Sequence, residues 1–378
     1  MSILIVSFIA SFLVGLLILR FRHLHEHISS DHDIGGIQKF HPKAVPRIGG
    51  IALILGILVT IASHYLIDPS IWVFCTLLLL SALPVFCMGL LEDLTKSVSV
   101  RTRFLSAITS ALLAGYLFDA WLVNVQFIGM DNLLAIPAVS IFFTCFAVAG
   151  VTNSFNIIDG YHGLVSIVAC IILTAIAYVA FRVEDFAIMA AAITAIGAVL
   201  GFVVWNYPRG LIFLGDGGAY LLGFWVAELS ILLVTRNTVI SKWFPVLICI
   251  YPIFETIFTM YRRFIFKNTQ VGKPDAIHLH QLIYRRAVRW AVGSNNVDLR
   301  NQRNSLTSPY LWVLASFSVI PAILFWQHKN ALQLFIVIFM LLYLWIYWSI
   351  VRFRIPQFLV LRFSPKKMKL SDSLENDE

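Results

Sequence analysis

Residues 134–163 read LAIPAVSIFFTCFAVAGVTNSFNIIDGYHG. The stretch up to Thr152 carries no charge, and about 20 such residues are what a helix needs to cross the hydrocarbon of a bilayer. Its end differs from its body. Asn153, Asn156 and Asp159 recur every three residues, a spacing that stacks side chains on one helical face. Gly160 and Gly163 then leave room for a tight turn and for close approach of a ligand. A bland reading makes this a capping and turn cluster. Two amides and a carboxylate on one face at membrane depth are costly for capping alone, so the stretch is read as a span ending in a polar ligand site.

The rest of the chain has the same character. Of 378 residues, 59% are apolar and 13% charged, against about 45–50% and about 25% in soluble domains. A water-soluble enzyme is excluded. Apolar runs predict about eleven spans, near 2–20, 48–67, 71–91, 102–118, 134–152, 163–181, 186–205, 217–235, 243–264, 309–326 and 331–351. The expected fold is an all-α polytopic helix bundle, a single transmembrane domain over 1–351 that includes the loop 265–308. The tail 352–378 is expected to be partly disordered, since its end SPKKMKLSDSLENDE (364–378) is polar and highly charged. Arg20 and Arg22 follow the first apolar run and no cleavage site does, so that run is read as a retained span and not a signal peptide.

Loop charge orients the bundle. With eleven spans, 24 of the 28 Lys and Arg fall on one side, and only Arg182, Arg236, Lys242 and Lys329 fall on the other. The positive-inside rule makes the first side cytoplasmic, with the amino terminus outside and the carboxyl terminus in the cytoplasm. The same side gathers Glu92, Asp93, Asn153, Asn156, Asp159, Asn206, Asp216, Asp275, His278 and His280. Cys75, Cys87, Cys145, Cys170 and Cys249 all lie in apolar runs without a CxxC pair, which fits small buried hydrophobes and neither a disulfide framework nor a thiolate metal site.

Each motif has a competing structural reading. In GLLEDLTK (89–96), Glu92 and Asp93 sit at a span end with Lys96 beside them. Intramembrane carboxylates are usually functional, yet a solvated helix end reads the same way. In LGDGGAYLLGF (214–224), Asp216 precedes a span among glycines. The exposed amides of a helix start favour an anion and Asp216 is a hard oxygen ligand suited to magnesium, although an N-cap would look alike. No GxxxxGK[ST] or GxGxxG pattern occurs, so a soluble nucleotide-binding fold is not available. In HLHQLIYRRAVRW (278–290), Leu279, Leu282, Ile283 and Trp290 are expected to lie on the membrane while Arg285, Arg286 and Arg289 face lipid phosphates. GSNNVDLRNQRNSLTS (293–308) is read as a polar connector. His23, His25 and His27 alternate without a carboxylate set and are read as a juxtamembrane stretch. Glu228 and Glu255 lie inside spans and are expected to be paired or to face the bundle interior.

Taken in order, KAVPRIGG, GLLEDLTK, NSFNIIDG, WNYPRGLIFLGDGG and PDAIHLHQ resemble the polyprenyl-phosphate N-acetylhexosamine-1-phosphate transferase family, glycosyltransferase family 4, from about residue 43 to 286. The branch they resemble best comprises bacterial UDP-sugar:undecaprenyl-phosphate sugar-1-phosphate transferases that start O-antigen or other surface glycans. The muramyl-pentapeptide branch is disfavoured, since HLHQ stands where it has three histidines. The resemblance implies a bacterial inner-membrane enzyme with its active site on the cytoplasmic face, releasing UMP. Implied partners are a UDP-N-acetylhexosamine, undecaprenyl phosphate and the lipid bilayer, with no nucleic acid; a homodimer is compatible with it. The implied cofactor is Mg2+, with Mn2+ as a substitute.

Carried over residue by residue, Asp216 resembles the magnesium ligand and Asp159 the second core acid beside it. Asp93 resembles the carboxylate that deprotonates or positions the polyprenyl phosphate. Asn153 and Asn156 are substrate-binding candidates, Asn156 at the diphosphate and metal. Lys96 matches a phosphate-contacting lysine, and Arg47 belongs to the substrate site. Asn206 and Phe213 stand where the family contacts uracil, and His278 and His280 match its histidine loop. Two positions depart from the pattern. Glu92 replaces the first acid of an Asp-Asp pair, and His162 replaces the second Asp of a DGxDG turn. Two rival readings remain at this level: a carrier relaying protons through Glu228 and Glu255, and a catalytically silent scaffold.

Overall fold

The computed structural model describes residues 2–29, 45–65, 68–127, 129–264, 277–288 and 297–352. Lys39, Lys43, Lys273, Pro274, Asp275, Arg289, Trp290 and the tail from 353 lie outside them. Among the described residues the elements are helices joined by turns and short connections. The first half comprises α1 (Ser2–Arg20), α2 (Arg22–Ser29), α3 (Gly49–His64), α4 (Pro69–Thr95), α5 (Val100–Phe118), α6 (Met130–Leu134), α7 (Pro137–Ile158) and α8 (Leu164–Arg182). The second comprises α9 (Phe186–Asn206), α10 (Gly215–Arg236), α11 (Phe244–Ile248), α12 (Ile250–Arg262), α13 (Leu279–Leu282) running on as a π-helix over Ile283–Val288, α14 (Val297–Leu324) and α15 (Lys329–Val351).

Local chemistry sets the boundaries. Asp68 caps α4 by accepting from the amides of Ser70 and Ile71, with Pro69 at the first helical position. The helix stops at Lys96, which adopts a left-handed conformation and returns its amide to the Glu92 carbonyl. Ser99 and Asp185 cap α5 and α9 in the same way as Asp68.

Eight of the described helices are long and apolar enough to cross a membrane: α1, α4, α7, α8, α9, α10, α14 from Gln302 onward, and α15. The molecule is a multi-pass membrane protein. Three further predicted spans fall on α3, which has 16 residues, on α5, which carries Arg101 and Arg103 in its first turn, and on α11 and α12, which break at Cys249. Helix α10 is the central post. It packs against α3, α4, α5, α7, α8 and α9, and all of its residues from Gly215 to Val234 are buried. Glycines bring the neighbouring backbones close: a Cβ at Gly50 would meet the Gly218 amide at 2.5 Å, and one at Gly89 would meet Gly217 at 2.7 Å. These approaches set the start of α10 against the start of α3 and the end of α4.

Two expectations are corrected. Leu279, Leu282 and Ile283 do not lie on a membrane surface. They are buried within the protein, against α14 and α15, and Arg286 donates to the carbonyls of Ile350 and Val351 at the end of α15. The segment reads as amphipathic because a helix buried between helices and one buried in lipid share the same apolar face. Residues 297–308, expected in a polar connector, are helical and open α14. Two of their side chains bond the protein backbone: the Asn304 carbonyl oxygen accepts from the His162 amide at 2.8 Å, and Ser308 donates to the His162 carbonyl at 2.6 Å.

Candidate active site

Four helix ends converge around α10. Asp93, on the last turn of α4, is 2% exposed, and its carboxylate spans the start of α10. Oδ1 accepts from the Asp216 amide at 2.8 Å and Oδ2 from the Gly217 amide at 2.9 Å. The free amides and positive end of a helix favour an anion there, which is how a buried carboxylate is tolerated. Gly215 makes the approach feasible. It has φ +76, and a Cβ on it would press against the Arg47 carbonyl and lie 2.5 Å from Asp93 Oδ2.

Asp216 is held from two directions. Arg47 Nη2 donates to Oδ1 at 3.1 Å and lies 3.8 Å from Asp93, while Arg103 Nη1 pairs with Oδ2. Backbone bonds fix Arg47 in place: the Phe213 amide donates to the Pro46 carbonyl at 2.9 Å, and the Gly49 amide to the Phe213 carbonyl at 2.9 Å. Asp159, half-buried just past the end of α7, is pushed up to about 7 by desolvation, opposed by Arg47 and assisted by Asp216. The third acid therefore shares one field with the other two. Asn156 donates to the Tyr220 hydroxyl of α10 at 3.1 Å, and Asn153 lies half-buried on the same helix. Glu92 is half-buried, and its Oε2 accepts from the Val98 amide at 2.8 Å, closing the turn after α4. Lys96 is exposed at that turn.

The YHG turn after α7 forms one wall. His162 is buried; its Nδ1 bonds the Pro208 carbonyl at 3.1 Å, and its ring stacks on Phe213 with centroids 5.9 Å apart. Burial, only partly offset by Pro208, lowers His162 to about 4, so it is neutral near pH 7. The Asn206 amide is spent on the scaffold, accepting from Gly163 N at 2.6 Å and donating to the Ile212 carbonyl at 2.7 Å. It splices the YHG turn to the turn carrying Phe213.

The histidine segment lies against the other side of the same turn. His280 packs over Gly160, where a Cβ would meet its Nε2 at 3.3 Å, and its ring meets Tyr161 edge-on at 5.5 Å. Burial, with His278 beside it, lowers His280 to about 3 against the pull of Glu255. His278 stacks flat on His280 at 5.1 Å.

Among the described residues no group of three His, Cys, Asp or Glu is spaced to hold a metal ion alone. Asp216 and Asp159, electrostatically coupled, form the smaller set that magnesium uses when substrate phosphates and water complete its shell. That pair fits magnesium bound together with a diphosphate. In this arrangement Arg47 and Arg103 occupy the Asp216 oxygens, so cation and guanidinium compete for them.

Arg103, Tyr220 and Asn304 belong to this constellation and were not singled out from the sequence. Arg103 carried a signal, because it lies inside the predicted span 102–118 and a charge within a span is functional by default. Tyr220 and Asn304 carried none, since each matters only through a contact remote in sequence.

These features define a membrane-embedded site of clustered carboxylates and guanidiniums with a histidine wall, equipped for phosphoryl transfer. The family model for glycosyl transferase family 4 matches residues 75–234, which include Asp93, Asp159 and Asp216. A probable undecaprenyl-phosphate N-acetylglucosaminyl 1-phosphate transferase of Bacillus subtilis is 29% identical, over 64% of this chain and 66% of its own length. An undecaprenyl-phosphate alpha-N-acetylglucosaminyl 1-phosphate transferase of Thermotoga maritima is 27% identical, over 67% of this chain and 72% of its own. A phospho-N-acetylmuramoyl-pentapeptide-transferase of Lactobacillus helveticus is 26% identical, over 70% and 83%. The aligned part of the chain thus spans about two thirds of the first of these relatives. Over residues 75–234 the chain is similar to glycosyl transferase family 4. By their names these relatives are phosphotransferases of the sugar-1-phosphate kind.

Proposed function

We propose that this protein transfers an N-acetylhexosamine-1-phosphate from a UDP-sugar to undecaprenyl phosphate at the cytoplasmic face of the bacterial inner membrane, in a chain of about eleven spans, releasing UMP and starting a surface glycan. The observation that carries the reading is the convergence of Asp93, Asp159, Asp216, Arg47 and Arg103 at the start of α10. Two anionic phosphates must meet in this reaction, and phosphoryl transfer depends mainly on positioning and charge neutralisation.

In this reading a lipid phosphate oxygen attacks the sugar-bearing phosphorus of the donor. The diphosphate P–O–P bond breaks, and the electron pair leaves on UMP. Asp93 positions the incoming lipid phosphate, and Arg47 and Arg103 are the cations available to the phosphates once they release Asp216. Lys96 and Asn153 serve the phosphates at the rim. Asp216 and Asp159 would hold Mg2+, which when bound neutralises and orients the donor diphosphate. His162 and Phe213 wall the nucleoside side, and Asn206 shapes that wall through the backbone. Glu92, whose Oε2 holds the Val98 amide, supports the Asp93 turn in place of direct chemistry.

The relatives named as N-acetylglucosaminyl 1-phosphate transferases favour a GlcNAc-type donor over a muramyl pentapeptide. The carrier alternative loses one of its two relay acids, because Glu255 is committed to a hydrogen-bond network. Purified protein given undecaprenyl phosphate, Mg2+ and a panel of UDP-sugars tests the reading. UMP release with at least one UDP-N-acetylhexosamine supports it, and none with any donor rejects it.

A further inference from the structure

Glu255 lies on α12 and is fully buried. A carboxylate in such a place has to be tied to partners, and two of its three bonds hold the histidine segment. Oε1 accepts from His278 Nδ1 at 3.1 Å and from the Leu279 amide at 3.2 Å, while Oε2 accepts from the Tyr343 hydroxyl of α15 at 2.7 Å. Two turns further along α12, Arg262 donates to the Ile277 carbonyl at 2.5 Å and to the Tyr347 hydroxyl at 2.6 Å. His278 itself caps α13, its amide donating to Gln281 at 3.2 Å.

The ring chemistry gives this network a direction. A carboxylate accepting at Nδ1 selects the tautomer with the proton on Nδ1 and leaves the lone pair on Nε2. Among the described residues Nε2 of His278 has no hydrogen-bond partner, whereas Nδ1 is engaged by Glu255 and by Thr259 at 3.2 Å. The His278 ring stacks on His280, which packs over Gly160 beside Asp159. The oriented imidazole is thus joined to the acid-bearing turn through His280.

We propose that Glu255 is a positioning residue for transfer, holding His278 with Nε2 presented to the donor's sugar-diphosphate end and held in turn by Tyr343. This rests on the transfer reading given above. Glu255, Tyr343 and the histidine segment all lie beyond residues 75–234 that match the family model, so the proposal makes α15 part of the site's support.

The test is a double-mutant cycle on purified protein, with Glu255→Gln, His278→Ala, the double variant and Tyr343→Phe, each first checked for a wild-type elution profile and unfolding midpoint. Glu255→Gln should lower kcat/KM by about ten- to a hundredfold, the usual effect of removing the carboxylate that orients a functional histidine. It should add little in the His278→Ala background. Tyr343→Phe, which removes one bond and keeps the packing, should show a smaller loss in the same direction and carries the test if Glu255→Gln does not fold. Additive losses in the cycle, or wild-type kinetics in Glu255→Gln and Tyr343→Phe, overturn the proposal.

A second readout needs no substrate: acylation by diethylpyrocarbonate followed by mass spectrometry, with exposed His23 as internal reference. The rate at His278 should fall several-fold in Glu255→Gln while that at His23 is unchanged; an unchanged His278 rate overturns the proposal. If wild-type protein releases no UMP, the transfer reading fails on its own, and acylation still decides whether Glu255 sets His278.

Discussion

The Asp93 carboxylate caps the helix that carries Asp216, with Oδ1 on the Asp216 amide at 2.8 Å and Oδ2 on the Gly217 amide at 2.9 Å. Two acids that repel as charges are joined through the backbone of one of them. Asp93 therefore has a structural duty beside any role toward the acceptor. Asp93→Asn keeps one acceptor and loses the charge at the helix start, so the unfolding midpoint in detergent should drop by an amount equivalent to about 1–2 kcal/mol. Transfer should fall by far more than that destabilisation explains. An unchanged midpoint would remove the cap from the account.

Arg103 and Arg47 hold the two oxygens of Asp216. Releasing one guanidinium should free the carboxylate for a cation, so Arg103→Gln should bind Mn2+ more tightly in a spin-resonance titration while transferring more slowly. Asp216→Asn should abolish the binding. Unchanged Mn2+ affinity in Arg103→Gln would mean that the arginine and the cation do not share Asp216.

His162 is 2% exposed and is lowered from its ordinary 6.5 to about 4. Between those values the unfolded chain takes up a proton that the folded chain refuses. Stability should therefore be intact above pH 6.5, decline as pH falls toward 4 and level off below it. Each pH unit in the window is about 1.4 kcal/mol, for a total on the order of 3 kcal/mol. The unfolding midpoint of His162→Asn, measured from pH 7.5 to 4, should have a correspondingly shallower slope than wild type. Parallel slopes would refute the assignment.

Asn206 bonds two backbone groups from different turns, Gly163 N and Ile212 O. Asn206→Ala should lower stability by about 2–4 kcal/mol, because each orphaned buried group costs about 1–3 kcal/mol. The donor KM should rise, since the wall formed by His162 and Phe213 loses its splice. A rise in KM with an unchanged unfolding midpoint would mean that Asn206 acts on the donor directly.

Helix positions were legible wherever the chain had to bury a long apolar run, which is why the predicted spans coincide with α1, α4 and α7 to α10 so closely. The start of α14 was hidden because Asn304 and Ser308 look solvated in sequence and are bonded to the His162 backbone in the fold. The burial of Leu279, Leu282 and Ile283 was hidden for a related reason: an apolar face does not say whether lipid or protein covers it. Of the site, the acids announced themselves through their cost in a membrane. Their partners did not, because the pairing of Arg103 with Asp216 joins residues 113 apart in sequence.

The central claim is that the carboxylates gathered at the start of α10 carry out transfer of a sugar phosphate onto a polyprenyl phosphate. Its most direct test is UMP release from UDP-N-acetylglucosamine and undecaprenyl phosphate by purified wild-type and Asp216→Asn protein, each with Mg2+ and with chelator. The account predicts release by wild type with Mg2+ alone, and none by Asp216→Asn of wild-type elution profile. Equal release by the two proteins, or release by wild type in chelator, would contradict it.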